Sequence, residues 1–134
     1  MSLDVYLETP IDPEIFIAAD FLHDHGFYLA EKALREMGSD RLYSSNITHN
    51  LGNMAEEAGI YKHLWRPEEI GITNAGQLIE PLKVGLDRLK NDKAHYEQFD
   101  APNGWGRYIH FIPWLEKYLK ACVENPTATV SVSR

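Results

Sequence analysis

Two segments near opposite ends of the chain alternate apolar and polar residues with a period of two. Leu3, Val5 and Leu7 interleave with Asp4, Tyr6 and Glu8, and Ala128, Val130 and Val132 interleave with Thr129, Ser131 and Ser133. A strand with one apolar face is not stable alone. The simplest solution therefore pairs both segments in one small sheet, which ties the whole topology to the meeting of distant residues. Residues 41–45 form a shorter third strand candidate.

The stretch between reads as helix. Asp12-Pro13-Glu14 is a start signal, because Asp caps, Pro suits the first helical position and Glu complements the positive end of the dipole. That helix runs to His25 and stops at Gly26; a second piece over 27–37 stops at Gly38, so 13–38 is expected to be a helical hairpin inserted in the domain. Asn46 or Ser45 is read as the cap of the next helix, with Ile47, Leu51, Met54 and Ala58 on one stripe, ending at Gly59-Ile60. Thr73 is read as the cap of the most regular helix, which carries Leu78, Ile79, Leu82, Leu86 and Leu89 at helical spacing. The last helix turns Phe111, Ile112, Leu115, Tyr118, Leu119 and Cys122 inward, and Pro113 is expected to kink it or mark a restart. One α+β domain over 1–134 follows, with Leu51, Met54, Leu78, Leu82, Leu86, Leu115 and Leu119 as its core.

Composition narrows the function classes. Leu, Ile, Val and Phe make up 34 of 134 residues, enough for a core and too many for a disordered chain. The longest apolar run, Ile15 to Ala19, is far too short to span a bilayer, and no basic start followed by an apolar stretch marks a secretory signal. The single cysteine, Cys122, leaves no internal disulfide and fits a reducing cytoplasm. Formal charge is −7, with 11 acids and 5 bases in residues 1–67 against 9 and 8 in 68–134. Lys83, Arg88, Lys90 and Lys93 are offset by Asp87 and Asp92, so a phosphate-tracking groove is not expected and neither nucleic acid nor membrane is an expected partner. A homo-oligomer is compatible with the same composition.

Three segments have side chains suited to chemistry. Asn46, His49 and Asn50 offer neutral donors and acceptors that can read a polar ring edge, or else serve as a cap and loop supports. In Asn103-Gly104-Trp105-Gly106-Arg107-Tyr108 the glycines permit unusual backbone angles around an indole that either plugs the core or stacks on a ligand. Arg107 opens a helix, where a cation gains nothing from the dipole, and Arg66 beside Trp65 can clamp an anion or bridge to Glu69. Asp20, His23, Asp24 and His25 share a helix end, but no spaced ligand pair accompanies them, so no metal or other cofactor is expected. There is no nucleophile elbow, P-loop or dinucleotide fingerprint, and Cys122 lies on an apolar stripe; a hydrolase using His49 is the weakest reading.

The phrases SSNITHNLGNMAEEAGIYKHLWRPEEIGIT, FDAPNGWGRY and ATVSVSR, with the opening SLDVYL, resemble a family of small proteins encoded by phages, prophages and bacteria. The match covers 1–8 and roughly 42–134, while 13–38 falls where the family varies in length. The family supplies no catalytic residues to carry over. The resemblance implies a phage-type accessory protein acting in the host cytoplasm by stoichiometric binding. Such a protein would bind a small anionic or nucleotide-like ligand, sequestering a host signalling molecule, or would inhibit a host protein through a sheet edge or an acidic face. The ligand residues expected under the first reading are Asn46, His49, Asn50, Arg66, Trp105, Arg107 and Tyr108.

Overall fold

The structure is a computed structural model that describes residues 1–10, 13–37 and 40–134. Strand β1 (Ser2–Glu8) lies at the centre of a three-stranded antiparallel sheet, between β2 (Arg41–Thr48) and β3 (Thr129–Ser133). Leu7 faces Val130 and Val5 faces Val132, so the pairing of the two alternating segments is borne out. Leu3, Val5 and Leu7 are fully buried, while Ser2, Asp4, Tyr6 and Glu8 on the other face are only partly covered.

Strand β2 is longer than its sequence indicates, and this corrects the helix stripe drawn through Asn46 and Ile47. Asn46 lies opposite Asp4 and Ile47 opposite Leu3, both as strand residues. Tertiary pairing to β1 overrides a polar run with weak strand preference. The chain then makes a single 3-10 turn, His49–Leu51, and enters the short helix α3 (Gly52–Glu57). Leu51, Met54 and Ala58 are still buried, on and flanking a helix that begins five residues later than an Asn46 cap implies.

The hairpin forms as α1 (Pro13–Asp24) and α2 (Tyr28–Met37). Its turn is a Schellman motif: Phe27 N–H donates to Leu22 O at 2.9 Å and Gly26 N–H to His23 O at 3.1 Å. The Asp12 cap and the Gly38 stop lie outside the described residues. Gly59-Ile60 closes α3 in the same way, through Ile60 N–H to Ala55 O at 2.9 Å. Helix α4 (Tyr61–Trp65) and a 3-10 turn at Pro67–Ile70 follow.

Helix α5 (Gly76–Asn91) follows Ala75 at its N-terminus, and the side chain that reaches its first turn is that of Asn74 rather than Thr73. Gln77 N–H donates to Asn74 Oδ1 at 3.2 Å and Asn74 N–H to Gln77 Oε1 at 3.0 Å, a reciprocal capping box. The chain ahead of β3 latches onto the same turn: Gly76 N–H reaches Pro126 O at 2.8 Å and Ala75 N–H reaches Ala128 O at 2.9 Å. These bonds satisfy helix-start donors that would otherwise be orphans. Helix α6 (Lys93–Glu97) is short, and α7 (Tyr108–Glu124) runs through Pro113 as one element without a restart.

Helices α5 and α7 pack against each other, and α7 meets the sheet where Tyr118 stacks on Tyr43 with ring centroids 5.8 Å apart. Leu51, Met54, Leu78, Leu82, Leu86 and Leu115 are buried in one continuous cluster; Leu119 is half-buried at its margin. Among the described residues no helix is long and apolar enough to cross a membrane.

Candidate functional site

At the end of β2 the Thr48 hydroxyl accepts from Asn50 N–H at 3.3 Å, and buried Leu51 pins the turn that follows. This local geometry leaves Asn46, His49 and Asn50 along one rim. The loop before α7 is folded by its own asparagine, since Asn103 Oδ1 accepts from Trp105 N–H at 3.0 Å. It docks on the rim through Asn50 Nδ2, which donates to Trp105 O at 2.8 Å. Close approach requires Gly106: its φ is +105°, and a Cβ there would lie 2.9 Å from Asn50 Cβ and 3.2 Å from Thr48 Cγ2.

Between rim, loop and the α7 residues His110 and Trp114 lies a cleft of about 980 Å³. No Lys, Arg, Asp or Glu lines it. The Trp105 indole is 71% exposed at its mouth, so it does not plug the core. His49 is held from behind: buried Trp65 donates Nε1–H to His49 Nδ1 at 2.9 Å. Indole nitrogen only donates, so His49 Nδ1 must be the bare acceptor and Nε2 carries the hydrogen. Trp65 is fixed in turn by stacking on Tyr61 at 5.4 Å. Asn46 Nδ2 donates to Ser2 Oγ at 2.8 Å and Asp4 Oδ1 at 2.7 Å, bonds that follow directly from its place opposite Asp4.

A second cleft of about 810 Å³ shares the His49 and Asn50 wall and holds Arg66, Arg134, Glu56 and Asp100. The Arg66 guanidinium bonds to Tyr61 and, at 3.1 Å, to Glu69, which together raise its pKa still further. Groups of both signs line this cleft, whereas no Lys, Arg, Asp or Glu lines the first.

The expected ligand residues thus divide. Asn46, His49, Asn50 and Trp105 converge on the first cleft, and Arg66 lies in the second. Arg107 and Tyr108 line neither. Arg107 lies 3.6 Å from Asp100, and Tyr108 is buried with its hydroxyl donating to Leu89 O at 2.9 Å. The reason is helical phase: residues 108, 111, 115, 118 and 122 form the buried stripe of α7, and Tyr108 is its first member. His110 and Trp114 were missed as lining groups, although their spacing of four places both on one other face of that helix.

In the hairpin, His23 Nδ1 is 3.0 Å from Glu31 Oε1, and His25 Nδ1–H donates to Phe21 O at 2.9 Å. No group of three or more potential metal ligands forms among the described residues. Cys122 is fully buried, and burial pushes its thiol up to about 12. We therefore expect no reaction with an aromatic disulfide reagent in the native protein at pH 8, and one reactive thiol per chain after denaturation. Because the unfolded thiol ionises first as pH rises above about 9, this group removes stability on the alkaline side and adds none at neutral pH.

No family model, curated protein or solved structure matches the chain.

Proposed function

We propose that this chain is a non-catalytic binding protein for a small nucleotide-like ligand, of the phage accessory type that its sequence resembles, acting in the host cytoplasm to sequester a signalling molecule. The observation that carries the reading is the first cleft itself, in which two polar-aromatic segments meet through the Asn50–Trp105 bond across 55 residues. Its volume suits a drug-sized ligand, and an exposed indole beside a few neutral polar groups is an economical way to hold a planar ring. Arg66, in the second cleft across the His49 and Asn50 wall, is the guanidinium we assign to an anionic end; a phosphate there competes with Glu69 for it.

The same geometry weighs against hydrolysis by His49. A general base needs a free Nε2 with Nδ1–H oriented by an acceptor, whereas Trp65 supplies His49 Nδ1 with a donor. The test is to incubate the purified chain with nucleotides and cyclic dinucleotides, wash, heat-denature and analyse what is released. Intact ligand at about one per site supports sequestration, and altered ligand means catalysis. Trp105→Ala is expected to weaken retention by up to about tenfold, the value of one aromatic stack.

A second reading, inhibition of a host protein, is favoured by one observation. Ile17, Phe21, Phe27, Tyr28 and Leu29 are all exposed on the hairpin, whose main packing is between its own two helices. Exposed apolar side chains grouped in this way mark protein contacts. If no small molecule is retained and one host protein is captured through this hairpin, the second reading replaces the first.

A further inference from the structure

We infer that the first cleft selects a ring edge carrying two N–H donors beside one carbonyl acceptor, the lactam edge of guanine; this rests on the nucleotide-like reading above and names the base. The inference comes from which atoms of the rim are already spent. Asn46 Nδ2 serves Ser2 Oγ at 2.8 Å and Asp4 Oδ1 at 2.7 Å. A carboxylate only accepts, which fixes the amide's orientation and leaves Asn46 Oδ1 as an acceptor. Asn50 Nδ2 serves the Trp105 carbonyl, which likewise only accepts, so Asn50 Oδ1 is left. His49 Nδ1 is taken by the Trp65 indole, which only donates, so Nε2–H is left.

None of these three remaining atoms has a hydrogen-bond partner among the described residues. These three side chains therefore leave two acceptors and one donor. Guanine complements them with N1–H, the 2-amino group and O6. Adenine brings a single donor group to that edge, and uracil one N–H between two acceptors. Asn103 Nδ2, whose Oδ1 is bonded to Trp105 N–H, and the buried Trp114 Nε1–H are also unspent donors, and the His110 ring offers a donor or an acceptor by tautomer. Any purine ring nitrogen can accept from these donors, so they do not separate the two purines. The Ser2 and Thr48 hydroxyls rotate to suit either partner and discriminate little. With no Lys, Arg, Asp or Glu in the lining, the ring enters uncharged, and a mismatched edge forgoes hydrogen bonds that the matched edge makes.

Calorimetric titration of the full chain with guanosine, inosine, adenosine and uridine tests this without variants. Guanosine is expected to bind about tenfold or more tighter than adenosine and uridine, with inosine, lacking the 2-amino donor, between them. Equal or tighter binding of adenosine or uridine overturns the guanine assignment while leaving a nucleotide-binding function in place. No binding of any nucleoside or its monophosphate by the folded chain overturns both. Trp65→Phe keeps an aromatic ring against Tyr61 but removes the donor that fixes His49, so the guanosine preference should shrink while Tm stays within a few degrees. An undiminished preference in that variant overturns the role of the His49 tautomer.

Discussion

Leu82→Ala should lower the unfolding free energy by about 2–5 kcal/mol, seen as a shifted urea midpoint with an unchanged slope. Leu82 is fully buried at the middle of α5, between Leu78 and Leu86 on the face that packs on α7. Its truncation removes apolar area from water exclusion and leaves a void that two well-anchored helices cannot collapse to fill. The capping box at Asn74 and Gln77 and the bonds from Pro126 and Ala128 hold the start of α5 in place, which limits that relaxation. Val84→Ala on the same helix is the internal control. Val84 is 44% exposed, so its replacement should change stability by no more than about 0.5 kcal/mol. A Leu82→Ala cost in that same small range would mean that α5 presents a different face to the core.

Gly106→Ala should cost about 2–4 kcal/mol, and abolish ligand retention in the first cleft, because two penalties coincide. An alanine there must adopt a φ of +105° and place its methyl 2.9 Å from Asn50 Cβ. Relief comes by lifting the loop from the rim, which breaks the Asn50–Trp105 bond and opens the cleft wall. Gly104 separates the two penalties. It lies in the same loop at φ +79° with nothing within 4 Å of a built Cβ. Gly104→Ala should therefore cost only the left-handed strain, about 1–2 kcal/mol, and leave the rim contact intact. Urea unfolding gives the two energies, and the resonance of the Asn50 side-chain amide, which donates to Trp105 O, reports whether the loop has lifted. Equal effects from both substitutions would show that the close approach of Gly106 contributes nothing.

These sites differ in how far they could be read from sequence, and the differences have physical causes. The pairing of β1 with β3 was legible because burial in β1 follows its alternation residue by residue. Strand β2 was not, because Ile47 is its only buried residue and Ser44, Ser45, Asn46 and Thr48 resemble a turn and cap. It becomes a strand because the open edge of β1 offers backbone bonds that those residues could not specify alone. The docked loop announced itself through glycines flanking a tryptophan. Arg107 and Tyr108 line neither cleft, because Tyr108 opens the buried stripe of α7 one turn before Phe111. The locking of His49 by Trp65 lies beyond any local pattern, since sixteen residues and a helix separate them.

The position of β1 between β2 and β3 also shapes how the molecule is made. During synthesis β1 emerges first, and β2 follows about forty residues later to satisfy one of its edges. The other edge waits for residues 129–133. Throughout that interval the nascent chain displays a row of unpaired amides and carbonyls on its most apolar strand, a template for joining another molecule. Closing so long a loop is a modest thermodynamic expense but a slow event. The vulnerable form of this protein is therefore its unfinished one, and a chain cut short before residue 129 would be lost to aggregation rather than merely weakened.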